Sequence, residues 1–135
     1  MPRTVSLARR STLWRWLRVS LFVGALYDLT LSAALLLEPG HLLAWLAVPP
    51  PAEAFYLSLI AVFLGGLGAC VLLAASDIRR YFDLVAILVA VRLGACGALA
   101  WFAWREPRLA GLLVLAAVDA GLALFHAGPW RILRR

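Results

Sequence analysis

The stretch FDLVAILVAVRLGACGALAWFAW, residues 82–104, carries a single charge in its interior, Arg92. A bilayer is crossed by about 20 apolar residues in a helix, and this stretch is long enough. An arginine at that depth is costly, so it faces a bundle interior or a partner. Two further apolar stretches hold an interior acid: Asp28 in LRVSLFVGALYDLTLSAALLL, residues 17–37, and Asp119 within residues 109–127. A fourth stretch, residues 55–75, has no charge. The sequence therefore predicts an all-α, polytopic membrane protein: one domain over residues 1–135, built as an antiparallel four-helix transmembrane bundle.

Composition supports this. Of the 135 residues, 64% are hydrophobic, against roughly 45–50% in an ordinary soluble domain. So much apolar surface exceeds what one soluble core of this length can hide, and the lipid bilayer becomes the first partner. The net charge is +6 and every basic residue is arginine. These arginines flank the apolar stretches, which is the pattern of a membrane protein and not of a nucleic-acid binder. Cys70 and Cys96 lie inside spans, form no C-x-x-C pair and differ in depth by about 13 Å, too far for a disulfide.

The connections shape the bundle. Glu38-Pro39-Gly40 ends the first span. Residues 40–48 are too short to cross and are expected as a short interfacial helix anchored by Trp45, stopped by Pro49-Pro50-Pro51. Residues 76–80 and 105–108 form tight loops, with Pro107 placed to open the fourth helix. Such short loops predict antiparallel neighbours.

Arginine counting orients the chain. Arg3, Arg9, Arg10, Arg15 and Arg18 precede or open the first span, Arg79 and Arg80 occupy the second loop, and Arg131, Arg134 and Arg135 close the chain. The first loop has no arginine and the third has Arg105 and Arg108. The bias places both termini in the cytoplasm of a bacterial inner membrane. The Arg9-Arg10 pair before an apolar run suggests a twin-arginine signal, but the run is too long and holds Asp28, so the first span is expected to be retained.

Depth counting then unites the charges. Asp28 and Arg92 each lie about 10 residues from the cytoplasmic end of their spans, and Asp119 about 10 from the outer end of its own, so all three fall about 15 Å deep. One arginine can hold two carboxylates through its planar fork. Two ionised acids and one arginine would leave a net negative charge, so either Asp28 or Asp119 is expected to hold a proton. The cluster is read first as a device that fixes helix pairing, and second as a proton relay or a site for a polar ligand. His126, seven residues after Asp119, shares its face. It is expected as an interfacial histidine near the helix end, with a proton path as the alternative.

Small residues mark packing faces. Ser20, Gly24, Asp28 and Ser32 recur at four-residue spacing in the first span. Ser58, Ala61, Gly65, Gly68 and Ala69 make a small-residue face in the second. The tryptophans 14, 16, 45, 101, 104 and 130 fall near span ends as an interfacial belt. Tyr27 and Tyr56 are candidates to donate hydroxyls into the bundle, although Tyr27 points away from Asp28 on a helix.

Tyr27-Asp28-Leu29, Glu38-Pro39-Gly40, Val48-Pro49-Pro50-Pro51, the run Phe63-Leu64-Gly65-Gly66-Leu67-Gly68, Arg92 and Asp119 together resemble the DoxX-like group of small four-span bacterial membrane proteins. Some members are associated with oxidase or thiosulfate:quinone oxidoreductase complexes, so the resemblance implies an accessory subunit. It carries over no catalytic residue.

No nucleophile–base pair, metal cluster or phosphate loop is evident, so no catalytic or metal residue is named and no cofactor is implied. The leading expectation is an integral inner-membrane accessory or assembly subunit, in contact with a membrane-protein partner or a second copy of itself. The second is a lipid, quinone or other apolar-ligand binder whose Asp28-Arg92-Asp119 cluster orients the ligand head. The third is a small proton-coupled exporter using Asp28, against which the pairing with Arg92 argues.

Overall fold

The computed structural model describes residues 7–134, with side chains described from Arg10 onward. Arg3 and Arg135, used in the charge count, lie outside the described residues, as does the side chain of Arg9. All regular structure among the described residues is helical: α1 (Leu7–Leu37), α2 (Pro39–Trp45), α3 (Phe55–Ser76), α4 (Phe82–Arg105) and α5 (Leu112–Leu133), with a 3-10 turn at Pro107–Leu109. The long helices α1, α3, α4 and α5 are each apolar enough to cross a membrane. The protein is thus a multi-pass membrane protein, and lipid is the solvent for its outward-facing leucines, valines and phenylalanines.

α2 begins at Pro39 and ends at Trp45 in a turn at Leu46 and Ala47, short of the expected residue 48 and the prolines, and the long helices depart from the sequence expectation at two places. First, α1 begins well before residue 17. Its 31 residues amount to about 46 Å, more than the ~30 Å hydrocarbon core, so its arginine-bearing first turns project past the lipid. Second, α5 starts at Leu112 rather than 109 and runs through Pro129 to Leu133. Pro107 opens the 3-10 turn instead, because it holds Glu106 in an extended conformation. Pro129 removes one backbone donor without ending the helix. The turn beyond it is held by packing, since Trp130 and Leu133 lie against the apolar core.

That core gathers at the end of the bundle where α1 begins. Leu17, Leu21 and Ala25 of α1 meet Val71, Ala74 and Ala75 of α3, Ile78 of the following turn, and Val85 and Leu88 of α4. Trp14 and Trp130 close this end around Phe82, with ring centroids 5.7 and 6.1 Å from it. Arg79 lies over the Trp14 ring and Arg134 over the Trp130 ring, adding cation–π attraction. The aromatic belt expectation therefore divides. Trp16, Trp45, Trp101 and Trp104 are exposed, whereas Trp14 and Trp130 are half-buried plugs.

Two helix pairs dominate. α1 packs along α3, and α4 along α5, with α1 and α5 joining the pairs. α3 and α4, joined by a short connection, touch only slightly. The small face of α3 is the reason. Ala61, Gly65 and Gly68 turn toward α1: the Ser32 hydroxyl donates to the Ala61 carbonyl at 2.7 Å, and side chains of Leu29 and Asp28 lie against Gly68. Ser58 and Ala69, expected on the same face, are exposed.

Candidate functional site

Asp28, Arg92 and Asp119 converge in the interior. The Arg92 Nη1 donates to Asp119 Oδ1 at 2.7 Å, and Nη2 donates to Asp28 Oδ2 at 2.7 Å and to the Gly24 carbonyl at 3.3 Å. Side-chain exposure is 1% for Arg92, 1% for Asp28 and 13% for Asp119. The depth argument from sequence is therefore matched by direct contact. These are charge-assisted bonds, the strong class, in surroundings that screen them little.

Gly24 makes the geometry possible. A Cβ there would stand 3.1 Å from Arg92 Nη2 and 3.2 Å from His126 Cε1. Hydrogen at this position lets the guanidinium reach the α1 backbone and lets His126 pack beside it. The stripe Ser20, Gly24, Asp28 and Ser32 thus makes polar contacts to other helices along its length. Ser20 offers its carbonyl to His126 Nε2 at 3.0 Å, Gly24 offers its carbonyl to Arg92, Asp28 accepts from Arg92, and Ser32 binds α3.

His126 corrects an expectation. It is not an interfacial side chain near a helix end but is fully enclosed, at 0% exposure. α5 continues past Pro129 to Leu133, so His126 does not stand at the helix end. Because a carbonyl can only accept, Nε2 carries a hydrogen in the bond to Ser20. Tyr27 is likewise nearer than helical geometry on α1 alone implied: the Arg92 guanidinium lies 5.9 Å from the centre of its ring. Tyr56 is exposed at the opposite end of the bundle and sends no hydroxyl inward to the cluster.

The cluster keeps unspent hydrogen-bonding capacity. Asp28 Oδ1, Arg92 Nε, His126 Nδ1 and the Tyr27 hydroxyl are buried and make no hydrogen bond within the protein. Chemically the arrangement can hold helices α1, α4 and α5 in register, and it presents two carboxylates, a guanidinium, an imidazole and a phenol within one contiguous polar region.

Sequence reasoning missed Gly111. A Cβ at this position would coincide with the Leu46 carbonyl, so the start of α5 lies directly against the end of α2. The next residue, Ala47, has φ of 52°, a left-handed conformation uncommon for a residue with a side chain. Cys70 and Cys96 are free thiols.

No family model matches the chain, and neither a curated protein nor a solved structure matches it. The class of protein is accordingly set by architecture alone: a four-span helical membrane protein with a buried Asp-Arg-Asp cluster.

Proposed function

We propose that the protein is an accessory or assembly subunit of a complex in a bacterial inner membrane, of the DoxX-like kind, with both termini in the cytoplasm. The observation that carries this reading is that the charged bonds of the cluster all join helices of this one chain. The two terminal nitrogens of Arg92 bond two carboxylates and a carbonyl of its own chain, so those bonds join helices. A buried polar device of that kind fixes which helices pair and in which register. It counts against the exporter, because an Asp28 held by Arg92 at 2.7 Å is a poor exchange site for a cation. The orientation is supported by the charges at the end of the bundle where α1 begins, which holds Arg10, Arg15, Arg18, Arg79, Arg80, Arg131 and Arg134, against Arg105 and Arg108 at the other.

Extraction of native membranes in a mild detergent, followed by affinity capture and a native gel, tests the proposal. A subunit migrates in a species containing defined further polypeptides in fixed ratio. Recovery of the chain only as a monomer or as a homo-oligomer, at native expression levels, overturns it.

A further inference from the structure

At the end of the bundle where α1 begins, a pocket of about 320 Å³ opens between that helix and the turn joining α3 to α4. Its charged lining is Arg15 and Arg18 from α1, with Asp77 and Arg79 from the turn. Three arginines against one aspartate leave it a net charge of +2. One Asp77 oxygen accepts from the Arg80 backbone N–H at 3.2 Å. Among the described residues, Arg15, Arg18 and Arg79 form no ion pair. Trp14 and the buried Ile78 make the apolar floor. The Arg79 guanidinium lies 5.9 Å from the centre of the Trp14 ring, a cation–π contact that holds it at the pocket.

Depth decides what such a pocket meets. Arg18 stands ten residues before Asp28 and Arg15 thirteen, so they lie about 15 and 20 Å from the polar midpoint of the bundle. The hydrocarbon of a bilayer reaches about 15 Å from its midplane and the head-group layer about 20–22 Å. The pocket therefore stands at the level of lipid phosphates. Arginine meets a phosphate through parallel, charge-assisted N–H bonds, and basic pockets between helices at this level are suited to anionic head groups. Arg15 also lines a second hollow, of about 350 Å³, with Trp16 and Val19. Val19, Phe22 and Leu26 continue the face of α1 that carries Arg15, at helical spacing, and all three are exposed. One molecule can thus place an anionic head among the arginines and its acyl chains along this face.

We infer that this pocket binds the head group of an anionic phospholipid, with the phosphate held by Arg15, Arg18 and Arg79. A zwitterionic head is disfavoured, because its cationic end meets a positive site. A soluble phosphate ester shares the head chemistry but has no chains to lay on the apolar face. An acidic protein segment would have to enter the head-group layer to reach Arg18. The site is separate from the Asp28-Arg92-Asp119 cluster. It rests on the protein standing in a bilayer and not on the accessory role.

The test uses the full chain purified in a non-ionic detergent. Phosphatidylglycerol, phosphatidylcholine and glycerol 3-phosphate are titrated separately, and native mass spectrometry records the adducts. The expected result is a saturable one-to-one phosphatidylglycerol adduct, about tenfold or more tighter than that of either other probe. Each basic residue at a membrane surface is worth about fivefold in affinity for anionic lipid. Arg79→Gln is therefore expected to weaken the adduct about fivefold, and the triple variant Arg15→Gln, Arg18→Gln, Arg79→Gln about a hundredfold. A second triple variant, Arg10→Gln, Arg131→Gln, Arg134→Gln, removes the same charge from the same end of the bundle and affects the adduct far less. Asp77→Asn keeps an acceptor for the Arg80 N–H and tightens the adduct about fivefold. Should the first triple variant fail to insert, the opposite shifts of Arg79→Gln and Asp77→Asn carry the test. Equal loss in the two triple variants means diffuse charge attraction only and overturns the inference. So do equal binding of phosphatidylcholine or of glycerol 3-phosphate, the absence of a saturable adduct, and an adduct unchanged by both Arg79→Gln and Asp77→Asn.

Discussion

Replacing Arg92 by leucine is the sharpest perturbation of the bundle. It deletes three hydrogen bonds, to Asp119, Asp28 and Gly24. At an average of about 0.6 kcal/mol for an interhelical hydrogen bond within a membrane, that loss alone comes to about 2 kcal/mol. The variant also leaves two enclosed acids without a counter-charge, and breaking a buried pair from one side costs about 3–5 kcal/mol. The expected destabilisation is therefore about 2–5 kcal/mol. Unfolding in mixed micelles by increasing mole fraction of sodium dodecyl sulfate, followed by far-ultraviolet circular dichroism, measures it. The companion is the triple variant Asp28→Leu, Arg92→Leu, Asp119→Leu. Replacing a whole buried ionic group by apolar side chains is often neutral or stabilising, by about 1–4 kcal/mol, so the triple variant is expected to recover most of the loss. An Arg92→Leu protein within about 0.5 kcal/mol of the native one would contradict the reasoning, since that is below the cost of even one unmade buried bond.

Other consequences can be checked alongside. Gly68→Ala brings a methyl to 2.9 Å from Leu29 Cγ and should cost about 1–3 kcal/mol by overpacking. Gly66→Ala, with open space around it, should cost nothing in the same assay. Ser32→Ala removes the donor to the Ala61 carbonyl and should cost about 0.5–2 kcal/mol. Gly111→Ala forces the α2 end away from α5, so a cysteine introduced at Leu46, which is buried, should become reactive to a membrane-permeant maleimide in that background and remain slow without it. Reporter fusions at residues 78 and 134 should both report the cytoplasm and a fusion at residue 52 the outside, and the reverse pattern would invert the arginine argument.

Much of this bundle is written in sequence-local terms. Residues 55–75 and 82–104 are legible as spans because apolarity and length suffice, and they coincide closely with α3 and α4. The meeting of Asp28, Arg92 and Asp119 is legible because helical rise converts position into depth, and three costly side chains at one depth have reason to pair. What escaped depends on neighbours distant along the chain. The fourth span is expected to end at 127, yet α5 runs through Pro129 with Trp130 and Leu133 packed against the core, and His126 is enclosed against Ser20 and Gly24 of α1. Gly111 falls unremarked inside the expected fourth span, residues 109–127, until the Leu46 carbonyl is found against it. α3 and α4 touch only slightly because the small face of α3 is committed to α1, and no local signal states that preference.

The division into two tight helix pairs has a consequence for how the chain is made. Arg92 and Asp119 sit on partners within one pair, α4 and α5, and neutralise each other as soon as both have entered the bilayer. Asp28 belongs to the other pair, and the arginine that compensates it lies 64 residues further along the chain. An ionised Asp28 would therefore lack this counter-charge until the chain had been made as far as Arg92. The bond between Asp28 and Arg92 is thus a charged tie between the two helix pairs, beside the direct packing of α1 on α5.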